Sequence, residues 1–251
     1  MMAGGENLKT EVSMIRYKLK IRKSKPTPQT EIPEYHYTCL TEFNTVCSMT
    51  KEVLRLTDSE GGHLHVNIKY AIALLTSTGI KVKGNGKYPR LLTTINNVSK
   101  ALGIYRDKVY KTLNKIHDIK INDVPLIVFR EYKSNEHIHG ITGREKALEI
   151  IVTGYEHIKY DDEDFFFPVN KSRYQKELSL QSILLLASLQ NITKHKDYAG
   201  YGLGYIQKMF NCSKPMVYKM LEELKEKHYI KCTKVGNEHR IYLLDKGKIN
   251  D

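Results

Sequence analysis

Cysteine is scarce in this sequence. Its four cysteines lie far apart among 251 residues and form no C-x-x-C pair. This spacing lacks the clusters that a disulfide framework or a structural zinc site requires. We therefore expect reduced thiols, no metal and no cofactor. The cysteines are Cys39, Cys47, Cys212 and Cys232.

Long apolar runs are also missing. The longest, ILLLASL at residues 183–189, is far shorter than the roughly 20 residues of a membrane helix. The opening residues, MMAGGENLKTEV, lack the apolar stretch of a secretory signal. The sequence therefore predicts a cytoplasmic protein with no membrane partner.

Motifs of common enzyme classes are absent or misplaced. No G-x-x-x-x-G-K-[ST] motif occurs, which argues against a P-loop ATPase, and KGNGKYP at residues 83–89 predicts a turn. HIH at residues 137–139 resembles the paired histidines of HUH-type nicking enzymes, but it lies in a predicted loop. The four adjacent carboxylates of DDED, residues 161–164, cannot converge on one ion. We expect no enzymatic activity and keep a nicking enzyme as an alternative.

Positive charge is abundant. Forty Lys and Arg oppose 28 Asp and Glu, for a net charge of +12 and a pI near 9.3. Such an excess suits a polyanionic partner, because neutralising phosphates releases counterions, although it also suits simple solubility. The segment RYKLKIRKSK, residues 16–25, predicts a basic, partly disordered arm over residues 1–33. Such an arm follows a nucleic-acid backbone or is a solvated tail.

The first half of the chain has the pattern of three helices and a β-hairpin. Apolar spacing predicts the helices, and β-branched residues predict the strands. This order is typical of a winged helix, in which a hairpin flanks the second helix of a helix-turn-helix. We place this domain at residues 34–154. Its predicted helices are residues 65–80, 94–103 and 105–118, and its predicted strands are 124–133 and 147–154.

The second half repeats the plan after a linker at residues 155–168, which is acidic and then aromatic, with residues 165–167 docking onto one domain. Ser213 is a predicted N-cap, and Pro215 fits the first helical turn. We place a second winged helix at residues 169–251 and predict an α+β fold. The expected helices are residues 177–192, 203–211 and 213–229, and the wing strands are 229–235 and 239–244, joined by a tip at Gly236 and Asn237.

A five-residue unit marks this repeat: VYKTL at residues 109–113 returns as VYKML at residues 217–221. Placing Val109 on Val217 sets an offset of 108 residues, which also aligns Gly103 with Asn211. Glycine and asparagine are the residues best able to adopt a positive φ, so both predict the same turn. The apolar positions of both helices coincide too, as expected of a duplicated or convergent helix-turn-helix.

The exposed face of the second helix in each unit is the predicted DNA contact. In a helix-turn-helix its first two turns enter the major groove, where Lys and Arg reach phosphates or guanine and tyrosine reaches a phosphate. The alternative is an ordinary solvated face. The candidates on the helices are Arg106, Asp107, Lys108, Tyr110, Lys111, Lys214, Pro215, Met216, Tyr218 and Lys219, and those in the wings are Lys133, Arg144, Lys146, Lys234, Asn237, His239 and Arg240.

Two tandem units in one basic chain resemble the replication initiators of bacterial plasmids and phages. The second unit is similar to the winged-helix domain of RepA_N-type initiators, through NCSK at residues 211–214, KMLEELKEKHYIK at 219–231 and RIYL at 240–243. In that family the matched unit is N-terminal, whereas here it lies in the C-terminal half. The resemblance implies two units that bind successive major-groove segments of repeated origin sites, in a protein that forms a homodimer and has host replication proteins as partners.

The predicted function is therefore sequence-specific binding of double-stranded DNA, as a replication initiator or accessory factor of a plasmid or phage. A transcriptional repressor of a mobile element shares this mechanism and remains a near alternative. A winged-helix adaptor that binds protein is the alternative from a different class. Salt dependence of DNA binding separates these classes, because only DNA binding weakens steeply as salt rises.

Overall fold

The first half contains four helices whose ends follow from local sequence. The computed structural model describes residues 40–80, 88–132, 146–159, 166–200, 202–236 and 238–248. A threonine accepts a hydrogen bond from the first turn of both α1 and α3, through Thr50 and Thr94, and His65 caps α2. Such caps satisfy the backbone N–H groups that begin a helix. The helices are α1 (Lys51–Arg55), α2 (Val66–Gly79), α3 (Ile95–Leu102) and α4 (Arg106–His117).

Five strands of the first half form an antiparallel sheet and a short hairpin. The sheet has the order β2–β6–β5, and every residue of β2 and β6 is buried. Asn122 and Asp123 connect β3 to β4 with φ of 51° and 61°, as a tight two-residue hairpin turn requires. The strands are β2 (Arg90–Thr94), β3 (Lys120–Ile121), β4 (Val124–Pro125), β5 (Val128–Tyr132) and β6 (Ala147–Ile151).

In the described part of the second half there are five α-helices and a two-stranded sheet. Ser179 caps α7, so this helix begins at Leu180 rather than at the predicted residue 177. The β8–β9 pair is antiparallel, and Ala199 adds a single bridge to Ile241 of β9. The elements are α5 (Tyr155–Ile158), α6 (Lys171–Tyr174), α7 (Leu180–Ile192), α8 (Leu203–Phe210), α9 (Lys214–Glu226), β8 (Ile230–Val235) and β9 (Glu238–Leu243).

One strand pair joins the two halves. Strand β1 (Cys47–Thr50) pairs antiparallel with β7 (Phe166–Val169), which begins inside the segment predicted as a linker. Phe167 is fully buried there, whereas Phe165 lies outside the described residues. The buried apolar side chains of both halves form one core within the compact unit Thr38–Asp251. The two predicted domains therefore share their hydrophobic core.

The predicted α+β class is confirmed, since helices and small sheets alternate along the chain. Ser213 is the N-cap residue of α9 as predicted, and its side chain makes no capping hydrogen bond. Pro215 occupies the first turn of α9 as expected. None of the helices within the described ranges is both long and apolar enough to cross a membrane.

Candidate nucleic-acid interface

Two helix pairs in the structure match at the offset found in the sequence. Helices α3 and α8 end at Leu102 and Phe210, and α4 and α9 begin at Arg106 and Lys214, each pair 108 residues apart. Between them Gly103 has φ 65° and Asn211 has φ 45°, both in the left-handed region. The predicted equivalence of these two turn residues is confirmed. Each left-handed residue lets the chain leave one helix and enter the next without a long loop.

The inward faces of α4 and α9 use the same positions. Val109, Leu113 and Ile116 are fully buried in α4, and Val217 and Leu224 are fully buried in α9. Residues at this spacing lie on one side of a helix and pack against the core. The register of both helices is therefore fixed, and their opposite sides face away from the protein.

The outward side of α4 is mainly basic in its first two turns. Arg106, Asp107, Lys108 and Lys111 are all exposed. Tyr110, also predicted to lie on this side, is half-buried. Its position follows Val109 directly and places its ring along the edge of the packed face. Four of the five helix candidates of this unit thus lie on an accessible surface.

An aromatic ring precedes this helix. Tyr105 is 77% exposed and occupies the N-cap position of α4, where it makes no side-chain capping bond. The Lys108 ammonium lies 5.7 Å from the centre of its ring, a cation–π distance. Sequence reasoning missed Tyr105, because it lies just outside the predicted pair of Tyr and Lys.

The outward side of α9 shows a similar grouping of lysine and tyrosine. Lys214, Pro215, Tyr218 and Lys219 are exposed, and the Lys214 ammonium lies 5.9 Å from the centre of the Tyr218 ring. Met216 is half-buried and packs against the core, so its predicted outward position is wrong. A long apolar side chain in the first turn can reach back over the preceding helix, which explains this packing.

The wing candidates divide by environment. Lys146 is exposed and forms an ion pair with Glu131 across the β5–β6 hairpin, with 3.0 Å between charged atoms. Lys234 and His239 are exposed and face each other across β8 and β9. Arg240 is half-buried, and its guanidinium lies 4.5 Å from the centre of the Tyr198 ring. Lys133, Arg144 and Asn237 lie outside the described residues.

Helix α9 is anchored to α7 by a carboxylate. Glu223 accepts hydrogen bonds from the backbone N–H and the hydroxyl of Ser179, both at 2.6 Å, and from the hydroxyl of Ser182 at 2.6 Å. Burial favours the neutral acid, but the bonds from Ser179 and Ser182 outweigh it and lower the pKa of Glu223. The charged carboxylate thus holds the candidate recognition helix to the start of α7.

Two lysines bind the equivalent carbonyls of the two turns. The Lys171 ammonium donates to the carbonyl of Leu102 at 2.7 Å, and the Lys69 ammonium donates to the carbonyl of Phe210 at 3.2 Å. Leu102 and Phe210 are the last residues of α3 and α8, and each lysine comes from the opposite half of the chain. Each half therefore provides an ammonium group to the last carbonyl of a helix in the other half. Cations are favoured at the C-terminal end of a helix, where the carbonyls have no partner within the helix.

Neither lysine was predicted from the sequence. Lys69 lies within an apolar helical stretch and is 2% exposed. Burial lowers its pKa to about 8, and burial also lowers the pKa of Lys171. No periodic pattern distinguishes these lysines from solvated ones, because Lys69 binds a backbone carbonyl 141 residues away in the chain and Lys171 binds one 69 residues away.

The HLH motif at residues 63–65 belongs to no metal centre in the described part of the chain. His63 and His65 are exposed, and Nδ1 of His65 accepts a hydrogen bond from the Asn67 backbone N–H at 3.2 Å. Within the described ranges no group of three His, Cys, Asp or Glu side chains converges on a possible ion. The HIH and DDED motifs lie outside those ranges.

Comparison with known proteins gives little further information. No family model matches the sequence, and no curated protein matches it. The chain is similar to a solved structure, the DIP2311 protein from Corynebacterium diphtheriae, with 12% identity and a TM-score of 0.21. The similarity covers 61% of this chain and 24% of that chain. The functional proposal therefore depends on the geometry of the molecule itself.

Proposed function

We propose that the protein binds double-stranded DNA through α4 and α9, each acting as the recognition helix of a winged helix. The observation that carries this proposal is the repeated turn. Gly103 and Asn211 adopt the same left-handed conformation at the same offset, and each precedes a helix whose exposed first turns carry lysines. A helix-turn-helix uses that part of its second helix to contact the major groove.

The order of elements supports two winged helices. In the first unit α2, β2, α3 and α4 come first, the short β3–β4 hairpin follows, and β5 and β6 come last, with β6 lying between β2 and β5. In the second unit α7, α8, α9, β8 and β9 follow, and the Ala199–Ile241 bridge takes the place of the first strand. A hairpin that follows the second helix of each pair is the defining feature of a wing.

The chemistry of the two faces suits a phosphate backbone. Lys108, Lys111, Lys214 and Lys219 supply flexible positive charges that reach phosphates. Neither α4 nor α9 has a side-chain capping bond at its first turn. Helix N-termini of this kind favour phosphate oxygens. Base discrimination would come from the residues in which the faces differ, chiefly Arg106 against Lys214.

The biological role that we propose is replication initiation, or an accessory replication function, for a plasmid or phage. This part rests on the resemblance to tandem winged-helix initiators and on the presence of two units in one chain. A repressor of a mobile element would use the same two faces on a different target. Selection of bound duplexes from a random library distinguishes them, because an origin yields direct repeats and an operator yields a palindrome.

A binding titration across salt tests the DNA proposal against a protein-binding adaptor. The wild-type chain is titrated with a duplex recovered from that selection at several salt concentrations. DNA binding through several lysines predicts that the logarithm of the association constant falls linearly with the logarithm of salt, by roughly 0.9 per phosphate contacted. Failure to recover any duplex, or an affinity independent of salt, would contradict the proposal and favour the adaptor.

A further inference from the structure

An apolar cavity lies between the two halves of the chain, beside the second turn. It has a volume of about 300 Å³, within the lower range of small-molecule sites. Apolar atoms make up most of its wall, contributed by Leu54, Leu64, Val66, Phe210, Met216 and Met220. The first three belong to the first half of the chain and the last three to the second half.

A buried ammonium group lines this apolar cavity. Lys69 is 2% exposed and donates to the backbone carbonyls of Leu54 and Phe210. A lysine ammonium has three N–H donors, so one donor has no protein acceptor in the described part of the chain. The two carbonyls are neutral dipoles, and within the same ranges no carboxylate forms an ion pair with Lys69.

An unpaired buried charge is costly, and the usual solutions are a counter-ion or loss of the proton. Burial lowers the pKa of Lys69 to about 8, so the ammonium form still predominates at neutral pH. Cys212, the titratable group that acts on Lys69 electrostatically, has a pKa raised by burial and is a neutral thiol there. The exposed rings of His63 and His65 line the same cavity and bring no negative charge.

We propose that this cavity binds a small amphipathic carboxylate, with the carboxylate on Lys69 and the hydrocarbon or aromatic body against the apolar wall. A single negative charge matches the single buried ammonium. A phosphate would bring up to two charges to one lysine among apolar atoms. An uncharged apolar ligand would leave the ammonium without a counter-ion.

The cavity also includes the turn itself. Asn211, Cys212 and Ser213 line it, and they connect α8 to α9. An occupant would therefore contact the segment that sets where α9 begins. If α9 is a recognition helix, as proposed above, the carboxylate would act as an effector of DNA binding. Binding of the carboxylate itself does not depend on that function.

Titration calorimetry with three probes tests the proposal on the wild-type protein. Decanoate carries both charge and chain, decyltrimethylammonium carries the opposite charge on the same chain, and acetate carries the charge without the chain. We expect saturable one-to-one binding of decanoate, below its micellar concentration, at least tenfold tighter than either comparison probe. Equal binding of the two decyl compounds, or no binding of decanoate, would overturn the proposal.

Two variants locate the site, and a third is the control. Lys69→Met keeps the length of the side chain and removes its charge, and Leu64→Trp fills the cavity while keeping Lys69. Each is expected to weaken decanoate binding about tenfold or more, the factor that corresponds to losing one charged hydrogen bond or comparable apolar contact. Lys208→Met removes an exposed lysine of α8 that does not line the cavity and should leave binding unchanged.

The outcomes remain decisive if one variant does not fold. Circular dichroism shows whether the Lys69→Met protein is folded. If it is not, decanoate binding to Leu64→Trp and the comparison of the three probes on the wild type test the site without it. Unchanged decanoate binding in a folded Leu64→Trp protein would place the ligand elsewhere and overturn the proposal. A decanoate site that leaves DNA affinity unaltered would keep the binding site and remove only its role as an effector.

Discussion

The ammonium nitrogen of Lys69 lies 3.2 Å from the backbone carbonyl oxygen of Phe210, although 141 residues separate them in the chain. Lys69 belongs to α2 in the first half, and Phe210 is the last residue of α8 in the second half. In the reverse contact, Lys171 of the second half donates to the carbonyl of Leu102 in the first half, so each half supplies a donor to the last carbonyl of a helix in the other. The two units are therefore coupled through their turns.

The pH dependence of stability should reveal the burial of Lys69. Its pKa falls from 10.5 to about 8 on folding, so the unfolded chain binds more protons between these values. The free energy of unfolding contributed by Lys69 should therefore rise with pH across this window, by on the order of 3 kcal/mol.

This contribution is measured as the difference between Lys69 and Lys69→Met proteins, both carrying Cys212→Ala to remove the neighbouring thiol. Urea denaturation between pH 7 and pH 10.5 gives the free energy of unfolding of each protein. The contributions of the titratable groups that both proteins share cancel in the difference. A difference that stays flat across the window, or falls with pH, would show that Lys69 is not a buried ammonium.

Glu223 should stabilise the attachment of α9 to α7. Replacing it by Gln in Glu223→Gln removes the charge that accepts three bonds from Ser179 and Ser182. We expect a loss of about 1–3 kcal/mol in the free energy of unfolding at pH 7. Because folding lowers the pKa of Glu223, this advantage of the wild type should diminish as pH falls below about 4.

The neighbouring Glu222→Gln change provides the control. Glu222 is exposed and pairs with Lys225 three residues later at 3.0 Å, a surface contact worth well under about 1 kcal/mol. Thermal or urea unfolding of the two variants should separate them clearly. Equal losses in both would mean that the anchoring role of Glu223 is wrong.

The left-handed turn of the first unit should not tolerate a side chain. Gly103 has φ 65°, and a β-carbon there would lie 2.9 Å from the Lys171 ammonium that binds the Leu102 carbonyl. Gly103→Ala should therefore cost about 1–2 kcal/mol from backbone strain and from displacing that ammonium.

Gly204 is the matched position for this test. It lies in α8 with an ordinary helical backbone and no atom within 4 Å of a β-carbon placed there. Gly204→Ala should leave stability unchanged or raise it by up to about 1 kcal/mol. If differential scanning calorimetry finds the two variants equally stable, the assigned turn conformation is incorrect.

Local patterns predicted most of the helices, because their signals lie within the helix itself. Thr94 and Gly103 mark both ends of α3, and the apolar spacing of α4 and α9 fixed the faces that the structure buries. The repeat was visible for the same reason. Glycine and asparagine favour the left-handed backbone conformation in any fold, so Gly103 and Asn211 predict a turn from the sequence alone.

Contacts between distant residues were not predictable in this way. Strand β7 gains its hydrogen bonds from β1, more than a hundred residues earlier, so its segment resembled a linker. Met216 packs against the shared core, and the buried Lys69 donates to the carbonyl of Phe210, 141 residues later in the chain. Such placements depend on tertiary packing, which overrides local propensity.

The central claim is that lysines of both helices contact DNA phosphates, and the salt dependence of a double variant tests it most directly. Lys111→Ala/Lys219→Ala removes one exposed lysine from α4 and one from α9, while Lys194→Ala removes an exposed lysine that lies on neither helix. We expect the double variant to bind the selected duplex more weakly and its salt slope to fall by about 2, with the Lys194→Ala slope unchanged. A folded double variant with wild-type affinity and wild-type slope would contradict it.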